Sequence, residues 1–114
     1  MEWEYRRGYP PVINDPAITA VMRKVGERIL GGDAVQDGSP QMAADDFSRY
    51  LEHVPGCYMT VGCGGPSGSP YPHHHPRFTI DESALAQGTG ILAVTALRLL
   101  RDGAFMSAPV RTAT

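Results

Sequence analysis

Residues 57–63, CYMTVGC, constrain the fold more than any other stretch of the chain. β-Branched and aromatic residues fill it, charges are absent, and Pro55-Gly56 and Gly64-Gly65-Pro66 bound it. That pattern predicts a strand. Both of its faces are apolar, so it belongs inside a sheet. The chain offers this strand only weak neighbours. Residues 2–6 alternate Glu with aromatics and read as a short strand with one apolar face. Residues 34–36 are a candidate for a second, brief one. One good strand and two weak ones do not make a complete doubly wound domain. The expectation is that a partner segment is missing from this chain.

Three helices separate these strands. Asp15-Pro16 supplies an N-cap and a proline at the first helical position. Ile18, Val21, Met22, Val25 and Ile29 then follow at spacings of three or four, an amphipathic stripe that Gly31-Gly32 ends. A second helix is expected over residues 43–54, started by Asp45 or Asp46, with Phe47, Tyr50, Leu51 and Val54 inward and Pro55-Gly56 as its stop. Thr79-Ile80-Asp81-Glu82 resembles a capping box, with Thr79 as N-cap. The helix after it is expected to run to Asp102. Residues 91–100 are apolar on nearly every side, so several faces should be packed, and Gly88 and Gly90 suggest a close helix approach. Residues 103–114 read as a frayed tail. Alternating strands and helices predict a layered α/β arrangement.

The formal net charge is -2, with no basic stripe, which argues against nucleic acid as the main partner. The apolar run at residues 90–100 is too short for a bilayer and is interrupted by Arg98, so no membrane span is expected. MEWEYRRGYPP lacks the apolar core of a secretory signal, and a cytoplasmic location is expected. Cys57 and Cys63, if they share one strand, lie about 20 Å apart, beyond disulfide reach. They read as free buried thiols.

The chemistry concentrates in SPYPHHHPRFTIDE, residues 69–82, which hold three of the chain's four histidines. In an extended loop His73 and His75 share one side and His74 faces the other. All three therefore cannot easily grip one metal. The residues leave two readings open: a solvated loop, or one ligand with two bystanders. A metal site needs about four donors. His53 lies on an expected helix. Asp45 and Asp46 are adjacent rather than facing, and read as helix caps ahead of acid/base groups. GCGGPSG, residues 62–68, lacks the Lys-Ser/Thr of a phosphate loop. Cys63 near the histidines leaves a Cys–His nucleophile pair as a minor reading.

Taken in order, YPPVINDP, MAADDFSRYLEHVPGCYMTVGCG and HHPRFTIDESALAQGTGILAVTALRLL resemble one family. It is the co-catalytic metallopeptidase and amidohydrolase family that includes hippurate hydrolase, N-acyl-amino-acid amidohydrolases and auxin-conjugate hydrolases. Its usual form is Glu-Asp-Phe, a Pro-Gly-aromatic strand ending in Gly, then His-x-Pro-x-Phe and Asp-Glu before a long helix. The resemblance covers residues 3–102.

The resemblance implies the C-terminal part of a three-layer α/β/α metallopeptidase catalytic domain. Residues 1–8 would be the last strand of an inserted lid, or dimerisation, domain; residues 9–105 the closing portion of the catalytic domain; and 106–114 a tail. Matching His-x-Pro-x-Phe to the chain selects His74 as a metal ligand, with Pro76 and Phe78 following, and makes His73 and His75 its neighbours. The family's activity is cleavage of the amide of N-acyl amino acids or small peptides. Two divalent ions (zinc, manganese, cobalt or nickel) polarise the carbonyl and lower the pKa of a bridging water, and a Glu moves its proton. The parent would be a homodimer through its lid. In this chain Asp45 replaces the usual Glu of Glu-Asp-Phe. The family's other ligands and its catalytic Glu lie upstream of the lid, and nothing here matches them. The isolated chain is therefore expected to bind metal weakly and to be inactive. The rival reading is non-enzymatic: a truncated product, or a complementation partner that needs an upstream segment.

Overall fold

The structure, a computed structural model, describes residues 1–6, 8–65 and 69–103. Three α-helices organise it: α1 (Pro16–Leu30), α2 (Phe47–Leu51) and α3 (Ser83–Asp102), with a 3-10 turn at Gly32–Ala34. The expected tail beyond Gly103 lies outside the described residues.

α1 forms as its sequence dictates. The Asp15 carboxylate accepts from the backbone N–H groups of Ala17 and Ile18 at 2.9 and 3.1 Å, and Pro16 occupies the first helical position. These bonds satisfy donors that a helix start otherwise leaves open. Gly31, at φ 97°, ends it. Ile18, Met22, Val25 and Gly26 are buried along one stripe. Ile29, expected inside, is exposed. Met22 and Val25 meet Ile91 of α3 in the core, with Leu30, Cys57 and Met59 packed around them. Gly26 is part of this packing: a Cβ there would lie 3.1 Å from Cγ2 of Val35.

α2 is shorter than its pattern predicts. Asp45 starts it, accepting from the Phe47 N–H at 2.8 Å, and Ser48 is buried with its hydroxyl donating to the Asp45 carbonyl at 2.7 Å. Tyr50 and Val54, expected on the inner face, are exposed. After Leu51 the chain turns, with the N–H groups of His53 and Val54 both donating to the Tyr50 carbonyl. Gly56 then passes beneath the helix, where a Cβ would come within 2.8 Å of Leu51.

The strand expectations are corrected. No strand forms among the described residues. Residues 57–63 run without regular structure and are tied at their ends. The Asn14 side chain brackets Tyr58 like one rung of a ladder, donating to its carbonyl at 2.9 Å and accepting from its N–H at 2.8 Å. Asp15 N–H donates to the Gly56 carbonyl and Asp81 N–H to the Cys63 carbonyl, each at 2.8 Å. A ladder needs a neighbouring strand to supply the remaining donors and acceptors. Clefts of ≈ 340 and ≈ 320 Å³ open along this segment, and Val35, Gln36, Met59 and Thr60 line both. Residues 2–6 form no strand either; Trp3 and Tyr5 are exposed and Arg6 pairs with nearby Glu4 at 2.8 Å. Cys57 and Cys63 are free but half-buried, not fully buried.

α3 carries two corrections. Its start uses Asp81, whose carboxylate accepts from the Ser83 N–H at 3.0 Å, while the Thr79 carbonyl is bonded to Ser69 N–H. It is also packed on one face only. Ala84, Ile91 and Thr95 are buried toward α1, whereas Leu85, Leu92, Leu97 and Leu100 are exposed, Leu92 by 66% and Leu100 by 69%. α3 has 20 residues, and its most apolar 18-residue window has a mean hydropathy of 1.3, so it is long and apolar enough to cross a membrane by length and composition, which the shorter run at 90–100 did not suggest.

Candidate functional site

The histidine loop is built from two successive turns. His75 N–H donates to the Pro72 carbonyl at 3.2 Å, closing residues 72–75, and Phe78 N–H donates to the His75 carbonyl at 2.9 Å, closing 75–78. Ser69 ties the loop's two arms together. Its N–H donates to the Thr79 carbonyl at 3.3 Å and its hydroxyl to the Arg77 carbonyl at 3.1 Å. The same hydroxyl accepts from the Tyr71 N–H at 3.0 Å.

The structure treats the three histidines differently. His73 packs edge-on against Phe78, ring centroids 5.0 Å apart. His75 is half-buried and stacks on Tyr71 at 4.2 Å and 5°. Its Nδ1 accepts from the Arg77 N–H at 3.1 Å, so its proton is assigned to Nε2. The Arg77 guanidinium lies 4.7 Å from the Tyr71 ring centroid. His74 is exposed, and among the described residues no hydrogen bond or ion pair engages its imidazole. It is also the one described non-glycine residue at positive φ, 67°. That places it at the third position of the 72–75 turn, where type II geometry ordinarily selects Gly or Asn. A left-handed conformation costs a side-chain-bearing residue roughly 1–2 kcal/mol. Aromatic stacking of the His75–Tyr71 kind contributes about 0.5–1.5 kcal/mol, enough to offset much of it.

A metal is only partly served by this loop. The exposed His74 imidazole, whose ring meets only the edge of His73 among the described residues, fits a ligand role. Yet among the described residues no group of three or more His, Cys, Asp or Glu is arranged to hold an ion. His53 lies in the turn beyond α2. The paired aspartates do not form an acid/base site. Asp45 caps α2 and accepts from the Tyr58 hydroxyl at 3.1 Å. That bond, together with the carboxylate's charge, raises the Tyr58 pKa above its ordinary value. Gly65 runs close to Asp81, so a side chain there would displace the carboxylate that caps α3. Gly65 thus has a packing reason, while Gly62 and Gly64 have open space around them. Neither cleft along residues 57–62 is lined by the histidines.

Sequence reasoning missed Asn14, Tyr71 and Asp81 as organisers. Asn14 falls in a Pro-rich crossover and Tyr71 between two prolines, where periodicity carries no signal. Asp81 competes with Thr79 for the same cap, and only the geometry decides between them.

Comparison with known proteins gives a consistent result. The family described as Peptidase family M20/M25/M40 matches residues 1–98. "Putative amidohydrolase YhaA" of Bacillus subtilis is 37% identical over 97 residues, which is 84% of this chain and 24% of that protein. "N-acetyl-L-cysteine deacetylase" of the same organism is 38% identical over 97 residues, 85% of this chain and 22% of the relative. A Rhodococcus jostii protein named "Putative glutamate--cysteine ligase 2-3" is 37% identical over 101 residues, 89% of this chain but 12% of its own length. The chain thus spans about a quarter of the two hydrolase relatives. No solved structure matches it.

Proposed function

The chain belongs to peptidase family M20/M25/M40 and is by family a hydrolase, and on that premise we propose that it forms the closing part of an amide-cleaving catalytic domain. The observation that carries this is the presentation of His74. His75 is stacked into the loop and His73 packs on Phe78, whereas His74 is exposed at positive φ, with only the edge of the His73 ring near it among the described residues, at the family's His-x-Pro-x-Phe position. Its imidazole would supply one nitrogen ligand. The bound divalent ions, of the zinc, manganese, cobalt or nickel class, would polarise the scissile carbonyl and acidify a water. The remaining donors and the proton-moving carboxylate would come from outside these 114 residues. Substrates would be N-acyl amino acids or small peptides, as the names of the two Bacillus relatives suggest. The parent would be a homodimer through its lid, with residues 1–8 as that lid's last strand and residues 9–105 inside the catalytic domain.

α3 is read as a core helix and not as a membrane anchor. Ala84, Ile91 and Thr95 already face α1, and the family match runs through it to residue 98. A cytoplasmic location accords with this reading.

A second reading has its own support: the chain acts as a non-enzymatic complementation partner. The exposed leucines of α3 and the open edges of residues 57–63 are surfaces that another segment would cover. Gel filtration with circular dichroism separates the cases. A monomer that melts cooperatively would count against any need for a complement.

The activity reading is tested by offering hippurate and N-acetyl-cysteine to the purified chain with zinc, manganese, cobalt or nickel. No turnover is expected. Clear turnover abolished by His74→Ala would overturn the assignment of the other catalytic groups to a separate segment.

A further inference from the structure

We infer that Tyr71 and His75 are positioning residues, which hold His74 in its left-handed turn conformation with the imidazole outside the loop; this rests on the reading of His74 as the metal-binding residue. The argument starts from position. His74 is the third residue of the 72–75 turn and has φ 67°, a place where Gly would be unstrained and His is not. A strained conformer persists only where its surroundings determine it. Here the determinant is the residue that follows. His75 is the corner shared by both turns, its N–H bonded to Pro72 and its carbonyl to Phe78. Its ring is fixed separately, by the Arg77 N–H on Nδ1 and by the near-parallel face of Tyr71 at 4.2 Å. Tyr71 in turn is anchored through its N–H to Ser69, which also holds the Arg77 carbonyl. With the corner fixed at His75 and the turn closed back onto the Pro72 carbonyl, the backbone of His74 has little freedom. Consecutive histidines thus divide the work: His75 is spent on the brace, and His74 is left to the ligand.

The test uses the full chain with isotopically labelled histidines and substoichiometric Ni²⁺ as the probe. Paramagnetic broadening is read separately for each imidazole, and the φ-sensitive backbone coupling of His74 is measured in the same samples. In the parent sequence the His74 ring broadens first. Tyr71→Phe keeps the stacking face and should keep both signatures. Tyr71→Ala should weaken Ni²⁺ affinity at His74 by roughly fivefold, within what one aromatic pair supports, and move its coupling away from the positive-φ value. Broadening and coupling unchanged in Tyr71→Ala would overturn the positioning role while leaving the ligand reading intact. A parent chain in which His74 is not engaged first would remove the ligand reading and this inference with it. If Tyr71→Ala loses its helical circular dichroism, His75→Ala is read by the same two signatures and decides in the same way.

Discussion

Ile91 and Leu92 are adjacent on α3 but face opposite environments, and substituting each by Ala tests the whole packing scheme. Ile91 is fully buried, 0% exposed, against Met22 and Val25 of α1. Truncation to Ala removes three carbons from the core, a transfer loss of about 2.4 kcal/mol at ~0.8 kcal/mol per carbon. A cavity adds to this, and buried Ile→Ala changes range over about 2–5 kcal/mol. The site is bordered by the cleft that Ile91 shares with Gln87 and Val61, so partial collapse is easy and the lower half of that range is expected. Leu92 is 66% exposed and loses little contact, so Leu92→Ala should change stability by less than about 0.5 kcal/mol. Urea unfolding followed by circular dichroism at 222 nm, with the slope checked for constancy, measures both. Equal losses at the two positions, or a larger one at Leu92, would refute the one-faced packing of α3.

Other expectations concern the caps and one hydroxyl. Asp15→Ala removes the acceptor for Ala17 and Ile18 and should cost about 1 kcal/mol in the same urea assay, with Asp15→Asn recovering most of it. The Tyr58 hydroxyl donates to Asp45, which raises its pKa above 10.0. The raised value means that this bond's stabilisation is complete below the ordinary tyrosine pKa and is lost as pH climbs through the raised one. A ring-resonance titration of Tyr58 should therefore show a midpoint above 10.0 that Asp45→Asn lowers.

Helices were legible in the sequence where local chemistry suffices. Asp15-Pro16 and Gly31 delimit α1 because capping is a matter of neighbouring residues, and the Ile18–Val25 stripe needed only helical period. Strands were not, because a strand exists only through its neighbours. CYMTVGC has the composition of a buried strand, and in this structure Asn14 gives it one rung at Tyr58 and no ladder. The apolar character of residues 91–100 likewise reports what the helix can bury, while the exposed Leu97 and Leu100 show what these residues alone do bury. At the candidate site the alternation argument assumed an extended loop, whereas residues 72–78 form two turns with His74 at positive φ. Alternation could not supply that geometry, since the two interlocked turns and the Tyr71–His75 stack depend on residues 69–79 closing on one another.

His74, and no other described residue, is proposed to reach the metal of an amide hydrolase. A chimera addresses this most directly: the matching segment of the Bacillus N-acetyl-L-cysteine deacetylase is replaced by residues 1–103 of this chain, and deacetylation is measured with and without His74→Ala. The account predicts hydrolysis by the chimera that His74→Ala reduces to background while the fold and bound substrate affinity are retained. An active chimera indifferent to His74→Ala would contradict it.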